Sequence, residues 1–123
     1  MESTESPLVA IVDDDELFRR SVARLVRSAG FRVETFGSAE DFLESGHLDR
    51  IACVILDMML PGMNGVGLQR RLITTPRPMP IVFVSAHENA VTRANALRAG
   101  AIAFLKKPFD DSALLDALDR SMR

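Results

Sequence analysis

Cysteine is nearly missing: Cys53 alone occurs among the 123 residues. No disulfide can therefore form within the chain, and Cys53, set inside IACVIL, reads as a small buried hydrophobe rather than a reactive thiol. No apolar stretch approaches the roughly 18 residues that span a bilayer, and the opening MESTESP lacks the basic and apolar regions of a signal peptide. A cytoplasmic location without membrane contact is the expectation. An excess of positive charge is missing as well. Fifteen lysines and arginines face 17 aspartates and glutamates, which supplies no basic field for direct nucleic-acid binding or for an anionic membrane. Partners must then be sought at local sites. Internal repeats, low-complexity tracts and linkers are also lacking, and the length and 47% hydrophobic content suit one compact domain with no room for a second. The expected layout is a flexible segment over 1–7 and a single domain over 8–123.

What is present is a regular alternation. Four apolar runs, LVAIV from Leu8, IACVIL from Ile51, PIVFV from Pro80 and AIAFL from Ala101, are too short for helices and rich in Val and Ile, as strands covered on both faces should be. A fifth run, FRVETF from Phe31, mixes polar and apolar residues like a half-exposed edge strand. Between the runs the period changes. Leu17, Phe18, Val22, Leu25 and Val26 fall on one face of a helix over Glu16 to Ala29 that stops at Gly30. Ser38 is the expected N-cap of a short second helix. Further helices are expected from Val66 to Ile73, in ENAVTRANALRAG, and in DDSALLDALDRSM, where Leu114, Leu115, Leu118 and Met122 share a face. Five strand–helix units imply a parallel sheet with helices on both faces, since parallel neighbours need right-handed crossovers. In open sheets of this kind ligands bind beyond the carboxyl ends of the strands, where strand order reverses.

At those ends stand Asp13, Asp14 and Asp15 after the first strand, Asp57 in VILDMMLPGMNG after the third, Ser85 in FVSAH after the fourth, and LKKPF after the fifth. Each residue alone has a plainer role. Aspartates after a strand cap helices, Ser85 suits a turn, and Lys106 and Lys107 suit a solvated surface. The set is harder to explain that way. Adjacent strands would gather Asp13, Asp14 and Asp57 within a few ångströms, and at about 5 Å with an effective dielectric near 20 each like-charge pair costs roughly 3 kcal/mol. Something positive must offset that cost. Hard carboxylate oxygens with room for water suit Mg²⁺, and a lysine after the last strand supplies a second positive charge.

The ordered set VDDDE, LDMMLPGMNG, VSA and KPF resembles the receiver domain of two-component response regulators, over essentially Leu8 to Met122. The resemblance implies a flavodoxin-like α/β fold, (βα)5, with a five-stranded parallel sheet of order 2-1-3-4-5. It implies a signalling protein rather than an enzyme, with Asp57 accepting a phosphoryl group from a sensor histidine kinase. Asp14 would be a direct Mg²⁺ ligand together with Asp57 and the backbone carbonyl of Met59, and Asp13 would help mainly through water. Ser85 and Lys107, the lysine directly before Pro108, would contact the phosphoryl group. Phe104 matches the family's aromatic switch position. Asp15, where the family usually has glutamate, stays a helix cap. The Lys107–Pro108 bond would be cis by resemblance, whereas the residues alone favour an ordinary trans turn.

Two other functions fit parts of the pattern. A dehalogenase-type phosphatase also places an aspartate after a strand beside Mg²⁺, but it needs a proton donor two residues later, where Met59 stands. A receiver-like interaction module working without phosphate would not need the full set of acids, hydroxyl and lysine. For the switch, phosphate on Asp57 is expected to draw in Ser85 and turn Phe104 inward, changing the fourth helix, fifth strand and fifth helix. Ala113, Leu114 and Ala117 on that surface are the candidates for a phosphorylation-promoted homodimer or an output domain. SAEDFL and AGAIAFLKKPFDD are similar to regulators with a C-terminal LuxR-type DNA-binding domain, which would lie outside this chain.

Overall fold

Short aliphatic runs separated by amphipathic segments fold here into β1 (Leu8–Val12), α1 (Glu16–Ser28), β2 (Arg32–Phe36), α2 (Ala39–Leu43), β3 (Ile51–Asp57), α3 (Gly65–Ile73), β4 (Ile81–Ser85), α4 (Ala90–Arg98), β5 (Ala103–Lys106) and α5 (Asp111–Ser121). A single 3-10 turn, Leu48–Arg50, leads into β3. This is a computed structural model, and it describes residues 6–76, 78–87 and 89–122. The strands pair in parallel in the order β2-β1-β3-β4-β5. The parallel sheet expected from the alternation, in the flavodoxin-like strand order that the family resemblance implies, is therefore the one adopted.

Side chains alternate across a strand, and a sheet covered on both sides turns that alternation into two cores. Val9, Ile11, Cys53, Ile55, Val82, Val84 and Ala103 face Val22, Ala23 and Val26 of α1 and Leu114, Ala117 and Leu118 of α5. Ala10, Val12, Val54, Leu56, Phe83 and Phe104 face the other way, toward Phe42 of α2, Leu68 and Leu72 of α3, and Ala96 of α4. Both kinds of residue are apolar, which is why these strands read as continuous hydrophobic runs. β2 lies at an edge with half-exposed residues, as its mixed sequence predicts. Residues 1–5 of the segment expected to be flexible lie outside the described residues. The carbonyls of Ser6 and Pro7 accept hydrogen bonds from Arg32 Nε at 2.8 Å and Arg32 N at 3.0 Å.

Two apolar assignments need correction. Leu17 was expected on the buried face of α1 but is 75% exposed. At 100° per residue it falls nearly opposite the Val22, Ala23 and Val26 stripe. Conversely, Leu114 and Ala117 were assigned to a dimer or output surface, yet both are fully buried under the sheet. Of that trio, only half-buried Ala113 is available to a partner.

Cys53 is fully buried, as its setting predicts. Burial pushes its thiol up from 9.0 to about 11, against a smaller opposing effect of the Ser121 side chain. The folded chain keeps this proton where the unfolded chain loses it, so the contribution to stability is full below pH 9 and is lost as the pH rises toward 11. Urea unfolding should show stability falling by about 2 kcal/mol more between pH 8 and pH 11 than in the Cys53→Ala variant. Equal slopes for the two proteins would contradict this.

Candidate phosphoacceptor site

The reversal of strand order lies between β1 and β3, where Val12, the last residue of β1, is in register with Leu56, one residue before the end of β3. Whatever follows β1 is thereby set beside the end of β3. The carboxylates of Asp13, Asp14 and Asp57 lie with ligand oxygens within 4.8 Å of one another. Asp13 and Asp57 are buried, whereas Asp14 is exposed at the mouth. Asp15 stands apart from the cluster as the N-cap of α1, its Oδ1 accepting from Leu17 N at 3.0 Å and Phe18 N at 3.3 Å.

Lys107 reaches this cluster from the far side of the sheet. Its backbone N–H donates to Ser85 O at 2.7 Å, and the following bond to Pro108 is cis, the isomer the family resemblance implies. Its Nζ lies 2.8 Å from Asp13 Oδ2 and 3.6 Å from Asp57 Oδ2. Of the two adjacent lysines, Lys107 is thus the one that enters the site, while Lys106 sits exposed at the end of β5.

Each acid is also held by the backbone around it. Asp13 Oδ1 accepts from Asp15 N at 2.9 Å, and Asp57 Oδ1 accepts from Met59 N at 3.0 Å. Burial pushes the Asp57 carboxyl above its ordinary range; the Met59 N–H opposes this, the charge of Asp13 adds to it, Lys107 opposes it, and Asp14 adds a little more. Ser85 is buried at the end of β4, where its Oγ accepts from His87 N at 3.1 Å. The side chains of His87 and Met59 are exposed. Phe104 is not part of the cluster. It is 4% exposed in the second core, with its ring 6.2 Å from that of Phe83.

Three contributors escape sequence reasoning. Arg19, one turn into α1, donates from Nη1 to Asp13 O at 2.6 Å and so ties the loop after β1 to the helix it precedes. Glu40 of α2 accepts from Met63 N at 3.0 Å through Oε2, which steadies the loop after Asp57. Phe18, expected only as a packing residue, has its ring centroid 3.9 Å from Lys107 Nζ. Nothing in local periodicity announces these contacts: those of Glu40 and Phe18 join segments that only the tertiary fold brings together, and that of Arg19 runs to a backbone carbonyl, which leaves no mark on the pattern of side chains.

The donor set suits Mg²⁺. Three hard carboxylate oxygens lie within reach of one ion, and the exposed Asp14 side leaves room for water and for phosphate oxygens. Comparison with known proteins agrees: the response regulator receiver domain model matches residues 9–119. The chain belongs to that family. Receiver domains are signalling proteins that bind Mg²⁺ in an acidic pocket. This one is 39% identical to nodulation protein W of Bradyrhizobium diazoefficiens, covering 95% of this chain and 52% of the relative. It is 36% identical to the transcriptional regulatory protein FixJ of Azorhizobium caulinodans, over 96% of this chain and 56% of the relative. Among solved structures, the response regulator StyR superposes with a TM-score of 0.87 at 45% identity, covering 95% of this receiver and 59% of that chain. The receiver thus spans about half the length of the curated relatives it matches. Among the described residues, no helix is long and apolar enough to cross a membrane.

Gly65 sets how closely α3 approaches Asp57. A Cβ there would lie 2.8 Å from Asp57 O and 2.8 Å from Met58 Cα, and the Gly65 N–H donates to Met58 O at 3.1 Å. Backbone atoms cannot swing aside, so Gly65→Ala should destabilise the receiver by about 1 to 3 kcal/mol. It should also shift the Asp57 and Met59 amide resonances. A variant of unchanged stability and unchanged amide spectrum would contradict that reading.

Proposed function

We propose that this receiver is a phosphorylation-dependent switch in which Asp57 accepts a phosphoryl group from a sensor histidine kinase. The observation that carries this reading is the Lys107 ammonium lodged between Asp13 and Asp57, in a cluster where three carboxylates face one ammonium. The cluster keeps a negative excess suited to a divalent cation, and its most buried edge holds both a nucleophile and a cation for an incoming phosphoryl group.

In this reading a carboxylate oxygen of Asp57 attacks phosphorus in line with the bond to the donor imidazole. The O–P bond forms as the P–N bond breaks, and the nitrogen leaves with the electron pair. When bound, Mg²⁺ neutralises charge on the phosphoryl oxygens. Asp14, Asp57 and the Met59 carbonyl would hold it directly, and Asp13 chiefly through water. Lys107, already 3.6 Å from Asp57 Oδ2, would pair with a phosphoryl oxygen. Ser85 accepts one hydrogen bond through Oγ and keeps its hydroxyl proton to donate to another phosphoryl oxygen.

The switch would follow from the movement of Ser85, which shifts the loop before α4 and biases Phe104 toward the inward position it holds in this structure. The responding surface would be α4, β5 and α5, with Ala113 available to a homodimer or an output domain. Several relatives are named as transcriptional regulators, which supports a DNA-binding output outside this chain.

With acetyl phosphate and Mg²⁺, the protein should gain the mass of one phosphoryl group in an acid-stable, hydroxylamine-labile form. Asp57→Asn should gain none, and Asp14→Ala should lose the Mg²⁺ dependence. Labelling of Asp57→Asn at the wild-type rate would refute the assignment. A folded wild-type protein that takes no label would favour an interaction module instead.

A further inference from the structure

Lys107 has a third neighbour besides its two aspartates. The ammonium lies 3.9 Å from the centroid of the Phe18 ring, 2.8 Å from Asp13 Oδ2 and 3.6 Å from Asp57 Oδ2. Its side chain is 19% exposed. An ammonium has three donors in fixed directions and no acceptor. Asp13 accepts one of them, Asp57 lies within ion-pair distance, and the face of the Phe18 ring is the third neighbour of the ammonium. The face of a phenyl ring carries partial negative charge, so it attracts a cation without taking a proton from it or competing for the carboxylates.

The ring is itself held in place. Phe109, two residues after Lys107, meets Phe18 edge to face at 6.1 Å between centroids with an interplanar angle of 84°. Both rings are half-buried and line a surface cavity of about 670 Å³ with Val22, Leu25 and Pro108. Phe18 cannot drift toward α5 without breaking that contact. Its own backbone N–H is bound by the Asp15 cap, so the element that carries the acids also sets the ring.

We propose that Phe18, braced by Phe109, is a positioning residue that holds the Lys107 ammonium between Asp13 and Asp57 through a cation–π contact. Lys107 rides on a long flexible stem, and without the ring its ammonium would share its time between the cluster and solvent. The ring keeps it where a phosphoryl oxygen would arrive, before the phosphodonor binds. The effect on phosphorylation rests on the function proposed above; the contact itself does not.

The test replaces Phe18 with mono-, di- and trifluorophenylalanine, which weaken the negative face of the ring stepwise at nearly constant shape. Phe18→Tyr and Phe18→Leu complete the set. In the metal-free protein the Lys107 ε-methylene protons should be shifted upfield by the ring, in wild type and Phe18→Tyr but not in Phe18→Leu. With acetyl phosphate and Mg²⁺, the rate of Asp57 phosphorylation should fall stepwise with fluorination, stay near wild type in Phe18→Tyr, and drop roughly three- to tenfold in Phe18→Leu. Lys107 ε protons at ordinary shifts would overturn the proposal. So would a flat rate across the fluorinated series in a protein that still labels Asp57. A wild-type protein that shows the upfield shift but takes no label would sink the phosphorylation reading while supporting the contact.

Discussion

This receiver is built around the crowding of Asp13, Asp14 and Asp57 at one sheet edge, countered by the ammonium of Lys107. At these separations each like-charge pair costs on the order of 3 kcal/mol, against a total stability of about 5 to 15 kcal/mol for a domain of this size. A purely structural cap needs one acid, and Asp15 already fills that role. The other acids are tolerated because Lys107 pairs with Asp13 at 2.8 Å, because backbone N–H groups satisfy Asp13 and Asp57, and because a divalent cation can complete the balance.

Much of the surrounding architecture serves to keep that cluster in place. The strand order puts β1 beside β3, so two acidic loops share one mouth. β4 and β5 lie next in the sheet, which brings Ser85 and Lys107 to the same edge. Arg19 ties the loop after β1 to α1, Glu40 ties the loop after β3 to α2, and Gly65 lets α3 approach the backbone of Asp57. The two apolar cores pack both faces of the sheet, so these loops are anchored on buried strands.

The fold is legible in the sequence because burial on both faces leaves its mark on every strand residue: LVAIV, IACVIL and PIVFV need no tertiary information to be read as central strands. Asp13, Asp14, Asp57 and Lys107 are legible as a cluster because parallel strands bring their carboxyl ends to one edge. The choice of Lys107 over Lys106 came from the family's motif, not from periodicity. Helix faces are less legible at their ends. Leu17 is apolar and adjacent to Phe18 in sequence, yet at 100° per residue it falls nearly opposite Val22, Ala23 and Val26 and stays in solvent. Leu114 and Ala117 mislead in the opposite direction, since small and aliphatic residues suit a partner surface as well as a core. Phe18 and Glu40 were out of reach because a contact between a helix and a distant loop has no local pattern, and Arg19 because its partner is a backbone carbonyl rather than a side chain.

In the proposed reading, Asp13, Asp14 and Asp57 act as one cation site with Lys107 as its internal counterion. The most direct measurement is carboxylate carbon NMR of the aspartates during a titration with Mg²⁺. Asp13, Asp14 and Asp57 should shift along one saturable isotherm that Asp41 and Asp116 do not follow, and the Lys107 ε resonances should move at the same midpoint. Carboxylates of the cluster that respond to Mg²⁺ no more than those of Asp41 and Asp116 would contradict it.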